Sequence, residues 1–140
     1  MKAEKNYLQP EMTAAQVNAM SSLALAHVGD AVFELLVRIY LAEEGLETSG
    51  GLHDAAVAMV NAGAQARDIR QILAELDEEE LAVFHRGRNA RVNSVPRHAK
   101  VGEYHEATGL EALLGYLYLL GRRERVNALF CRILEGCYAG

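Results

Sequence analysis

Leu23-Ala24-Leu25-Ala26-His27-Val28-Gly29-Asp30-Ala31-Val32-Phe33 is the stretch on which the reading of this chain turns. It is apolar enough to be core, yet it carries a carboxylate at Asp30. An ionised carboxylate taken out of water costs on the order of several kcal/mol unless a cation or hydrogen-bond donors meet it. Thr108-Gly109-Leu110-Glu111-Ala112-Leu113-Leu114-Gly115-Tyr116-Leu117 repeats the pattern some eighty residues later, with Glu111 as the single acid. A metal ion shared by the two acids would satisfy both, and so would an Arg or His beside each. Gly29 and Gly115 bear on the choice, because glycine inside a helix costs roughly 1 kcal/mol relative to alanine and asks for a packing or functional reason. Close helix approach is such a reason. Gly29 precedes Asp30 directly, and Gly115 follows Glu111 by one turn on the same face. If the two helices cross there, the carboxylates meet near the crossing. Magnesium suits that arrangement, since it takes oxygen ligands, binds through one or two carboxylates and keeps waters for the rest of its shell.

Outward from these two segments, the chain reads as helical throughout. Thr13-Ala14-Ala15-Gln16 has the form of a capping box, and either it or Ser21/Ser22 opens a long helix that runs through Asp30 to about Glu44, ended by Gly45. Thr48-Ser49-Gly50-Gly51 reads as a loop. Helical spacing resumes from Leu52, Asn61-Ala62-Gly63 bends the chain, and a helix over Ala64 to Leu76 points Ile69, Ile72 and Leu73 inward. Asp77 is the expected N-cap of a helix carrying Glu78, Glu79 and Glu80 in its first turn and running through Phe84 toward Arg88. Asn93-Ser94-Val95-Pro96 breaks the pattern. A strong helix covers about Glu103 to Leu120, Gly121 stops it, and a last one spans about Arg123 to Glu135 before Gly136. No period-2 segment is long enough for a strand. The expected architecture is all-α, a compact bundle of about six to seven helices.

The 140 residues, 51% of them hydrophobic, suffice for one domain with a real core and predict a single domain over 1–140. No uninterrupted run approaches the roughly 18 apolar residues that span a membrane, and Met1-Lys2-Ala3-Glu4-Lys5 does not open an export signal, so the expected location is the cytoplasm. Cys131 and Cys137 lack a second CxxC or CxxH pair, which argues against a zinc site and for reduced thiols. The net charge of −5 disfavours nucleic-acid binding by the whole surface. Charge is nonetheless unevenly spread. Arg86, Arg88, Arg91, Arg97 and Lys100 fall between His85 and Gly102, a segment without an acidic residue, and make up more than a third of the 14 Lys and Arg. Glu34 and Arg38 stand one helical turn apart, the spacing of a surface ion pair.

Leu23 to Glu34 resembles the signature helix of the ribonuclease III catalytic domain, and specifically that of its small bacterial branch, Mini-ribonuclease III. Arg86-Gly87-Arg88-Asn89-Ala90 resembles that branch's basic motif, and Leu110 to Leu117 its second acidic helix, in the expected order and spacing. The resemblance covers about Leu23 to Arg125. It implies the ribonuclease III endonuclease fold, with Asp30 and Glu111 as metal-binding catalytic acids. Larger ribonuclease III enzymes have a further acid one turn before each of these. Here those positions hold Ala26 and Thr108, as in the reduced set of the small branch.

The same resemblance implies a magnesium-dependent endonuclease for double-stranded RNA that leaves 5′-phosphate and 3′-hydroxyl ends. It also implies a homodimer cutting opposite strands, a task in trimming the duplex ends of large-subunit ribosomal RNA precursors, and room for a ribosomal protein as helper. No double-stranded RNA-binding domain is expected within these residues, so Arg86, Arg88, Arg91, Arg97 and Lys100 are the expected phosphate contacts, A-form RNA being recognised largely by shape and backbone. The competing expectation is a catalytically silent RNA-binding or ribosome-associated module on the same scaffold. Retention of both acids speaks against it.

Overall fold

The computed structural model describes residues 4–45, 49–90 and 100–138. Seven α-helices occur there: α1 Ala14–Asn18, α2 Ser22–Glu43, α3 Ser49–Val60, α4 Ala62–Ile72, α5 Glu78–Arg88, α6 Val101–Leu119 and α7 Arg123–Tyr138. A 3-10 turn, Leu73–Glu75, follows α4, and no strand is present among the described residues. This is the all-α bundle that the spacing predicts.

Both candidate openings of the long N-terminal helix are used, each for its own element. Thr13 and Gln16 close a reciprocal capping box on α1, and Ser21 caps α2 by accepting from the Ala24 N–H at 3.1 Å. Gly45 and Gly121, the residues with positive φ among those described, lie just past α2 and α6. At Gly121 the bonds from Gly121 N–H to Tyr118 and from Arg122 N–H to Leu117 satisfy the last carbonyls of α6. Asp77 caps α5 as expected, with Glu80 returning the bond to the Asp77 N–H at 3.0 Å.

Three boundaries differ from the sequence reading. Ser49-Gly50-Gly51 opens α3 instead of forming a loop. Leu73 is exposed because the chain tightens into the 3-10 turn after Ile72, which rotates Leu73 away from the core while Ile69 and Ile72 stay in it. Helix α7 continues through Gly136, where α4 comes so close that an added Cβ would overlap the Gln71 side chain.

Helix α6 is the axis of the bundle, packed against α2, α4, α5 and α7. It is apolar around nearly its whole circumference, as a helix enclosed by others must be, and Leu110, Leu113, Leu114 and Leu117 are fully buried. The α5–α7 corner is fastened by charge. Glu80, 2% exposed, receives both Nε and Nη2 of Arg125 at 2.7 and 2.8 Å, and Arg125 also donates to the Glu75 carbonyl. Beside it, Glu79 accepts from the Tyr116 hydroxyl and from Arg122 at 3.1 Å. These bonds hold the Glu79 and Glu80 carboxyls below the usual carboxylate range, Tyr116 acting first on Glu79 and Arg125 first on Glu80. Burial and the facing Glu79 push the Tyr116 phenol up to about 12.

Candidate active site

Helices α2 and α6 cross with their backbones in contact. A Cβ built on Gly29 would stand 1.6 Å from the Glu111 carbonyl oxygen, and one on Gly115 would stand 2.0 Å from the Leu25 carbonyl oxygen. Only residues without side chains permit this approach. The crossing brings together two acids far apart in sequence, and Glu111 shares a side-chain hydrogen bond with Asp30. Two carboxyls can share such a bond only while one keeps a proton. Burial, with the Asp30 hydrogen bond and charge added to it, raises Glu111 to about 8.

The two acids divide the burden differently from the sequence expectation. Asp30 is exposed, whereas Glu111 is partly buried and bears the desolvation. The reason lies in how α2 spends its apolar residues. Leu25, Ala26, Gly29, Val32, Phe33 and Val37 face the core, while Leu23, His27, Ala31, Leu35 and Ile39, each four residues from the next, form an exposed stripe. The apolar run around Asp30 is therefore half core and half surface. Glu34 and Arg38 make the expected surface pair at 2.6 Å.

Glu111 opens into a hollow of about 530 Å³ whose wall also includes Asn61, Gln65, Lys100, Glu103 and Tyr104. Lys100, exposed at the start of α6, thus stands at the same hollow as the acid. Arg86 does not line it. That side chain borders a separate recess with Ser22, Leu25 and Tyr116. Arg88 lies over the Phe84 ring, 5.7 Å from its centre. Arg91 and Arg97 lie outside the described residues. Ala26 and Thr108 are buried and add no carboxylate, and Thr108 spends its hydroxyl on the Tyr104 carbonyl.

Sequence reasoning missed Gln65. It is buried on α4, beside Glu111, whose charged form its amide favours. A lone glutamine in an alanine-rich helix gives no sign of that placement. Among the described residues no salt bridge reaches Asp30 or Glu111, and no three His, Cys, Asp or Glu side chains cluster to hold an ion. The donors available to a cation are the hard oxygens of two carboxylates, the chemistry that magnesium accepts when water fills its other positions.

The sequence matches the family model described as Ribonuclease III domain over residues 23–122, which includes both acids and the crossing that joins them. The chain belongs to the ribonuclease III domain family. It is 40% identical over 132 residues to the Mini-ribonuclease 3 of Clostridium tetani, covering 94% of this chain and 87% of the relative. It is 49% identical over 107 residues to that of Desulfitobacterium hafniense, covering 76% and 68%. In three dimensions it is similar to a crystal structure of a Fusobacterium nucleatum protein, with a TM-score of 0.79 and 35% identity, covering 86% of this chain and 97% of the other. No helix among the described residues is long and apolar enough to cross a membrane.

Proposed function

We propose that the chain is a magnesium-dependent endoribonuclease acting on double-stranded RNA, with Asp30 and Glu111 as the catalytic acids that hold the metal. The observation that carries this reading is the carboxyl pair itself. Two acids from separate helices are pressed together with no Arg or Lys salt-bridged to them among the described residues, and burial, with the Asp30 hydrogen bond and charge added to it, raises Glu111 to about 8. An arrangement that penalises its own charge is suited to receiving a cation. Family membership and the name Mini-ribonuclease 3 carried by its relatives support the same activity.

Magnesium, when bound, would supply the Lewis acidity that activates water and stabilises charge building on the phosphate. The protein's own residues do the rest. The glycine crossing fixes the spacing of the acids, and Lys100, at the mouth of the same hollow, offers a positive charge to the RNA backbone. Arg86, Arg88, Arg91 and Arg97 extend that contact along the duplex. The exposed stripe Leu23, His27, Ala31, Leu35 and Ile39 is the surface on which two copies pair as a homodimer, setting each Asp30 beside the seam. The natural substrate is the duplex end of a large-subunit ribosomal RNA precursor in the cytoplasm, with a ribosomal protein as the candidate helper.

The test is incubation of the protein with a long RNA duplex and with single-stranded RNA, each with and without magnesium, beside Asp30→Asn. Cleavage of the duplex alone, dependent on magnesium and lost in a variant that still binds RNA, is the expected result. Equal behaviour of the two proteins would instead make this a silent RNA-binding module.

A further inference from the structure

Gln65 is the buried polar side chain for which the fold provides no evident use. It is 4% exposed, and although its amide lies close enough to Glu111 to favour that carboxyl's charged form, its Nε2 completes no hydrogen bond of full geometry. Native proteins leave few buried donors unpaired, so each such case has a cause. The Nδ1 atoms of His85 and His105 and the Nη1 of Arg123 are also without partners, but all three residues are partly exposed and within reach of solvent. Gln65 has no such outlet. It stands one turn into α4, with its N–H bonded to the Asn61 carbonyl at 3.0 Å, and it lines the same hollow as Glu111. Apolar packing would be served as well by a leucine. Glu103 also lines that hollow, but the acid on which the amide acts is Glu111, which is already bonded to Asp30.

Resting on the reading of the site just given, we infer that Gln65 is a positioning residue: its amide N–H holds the Glu111 carboxylate in the orientation that binds the metal. A ligating carboxylate has two oxygens, and a donor on one of them leaves the other aimed at the cation. Partners of this kind, one step removed from the ion, set affinity without touching the substrate. Helix α4 packs directly against α6, so the amide is held by the bundle and needs no rearrangement to act.

The experiment is calorimetric titration of the full chain with magnesium alone, comparing wild type with Gln65→Leu and Gln65→Met. Thermal denaturation selects whichever apolar variant keeps the wild-type melting temperature. Magnesium affinity should fall by about tenfold to a hundredfold in that variant. The magnesium concentration for half-maximal cleavage should rise in step, with kcat recovered at saturating metal, and RNA affinity measured without metal should stay the same. Unchanged magnesium affinity would overturn the inference, whether or not RNA binding had weakened. Gln65→Glu distinguishes a donor from a ligand, because at neutral pH a carboxylate can coordinate but offers no N–H. Wild-type affinity or better in that variant would make Gln65 a ligand and also overturn the inference. A wild-type chain that takes up no magnesium would be a different failure, that of the site reading itself.

Discussion

Two pairs of acids face opposite fates on neighbouring parts of the bundle. Glu79 and Glu80 meet Arg122 and Arg125 as well as the Tyr116 hydroxyl, and both are held below the usual carboxylate range. Asp30 and Glu111 meet each other, and Glu111 rises to about 8. Burial is the largest cause of the rise at Glu111 and pushes Glu80 the same way, but at Glu80 the Arg125 hydrogen bond outweighs it. The difference is whether the fold supplies a positive charge of its own. Where it does, the acid is part of the framework. Where no described Arg or Lys meets it, the acid is suited to an ion from outside, as the proposed function requires.

The contrast breaks most completely at the crossing that forces the second pair together. Gly29→Ala puts a Cβ against the Glu111 carbonyl, and because the obstacle is backbone the helices must separate. The expected loss is at least about 3 kcal/mol of stability, read from the denaturant midpoint. Arg125→Met tests the other pair by leaving Glu80 buried without its cation. A loss of about 3 kcal/mol is expected, with magnesium affinity of the folded fraction unchanged. A change in metal binding there would show that the two acid pairs are not independent.

Acidity sharpens the comparison further. The folded chain keeps the Glu111 proton that the unfolded chain releases near the ordinary value of 4.5, so the metal-free protein loses stability as pH rises from about 4.5 to about 8. Glu80 contributes in the opposite sense, its stabilisation being lost on acidification through its lowered value. Melting curves without metal should therefore fall between pH 5 and 8 in wild type, less steeply in Glu111→Gln, and magnesium should reverse the fall by binding the folded state. The smallest expected effect is at the hollow's mouth. Lys100→Ala should reduce the salt dependence of RNA binding by about one phosphate contact, with the melting temperature unaltered.

Much of this was legible in the sequence because the decisive signals are local. A lone acid in an apolar helix, a glycine beside it, and Asp77 with Glu80 three residues on announce themselves by type and spacing. The same signals misjudged Asp30, because an apolar stripe on the surface of α2 reads like core. What stayed hidden depends on partners distant along the chain. Nothing near Glu80 points to Arg125, and nothing near Gln65 points to Glu111, since only the packing of α7 beside α5 and of α4 against α6 creates those contacts. Leu73 and Gly136 were misread for a related reason, the first by a tightened turn and the second by a helix that outruns its glycine.

The placement of the acids on α2 and α6 also has a consequence for the life of the molecule. A chain still growing on the ribosome presents Asp30 while Glu111 has yet to be translated, and a fragment clipped before α6 carries the first acid without the second. Neither holds the complete pair. Under the proposed function, unfinished and broken copies are thereby harmless to the RNA that surrounds them, and hydrolytic competence arrives together with the finished bundle.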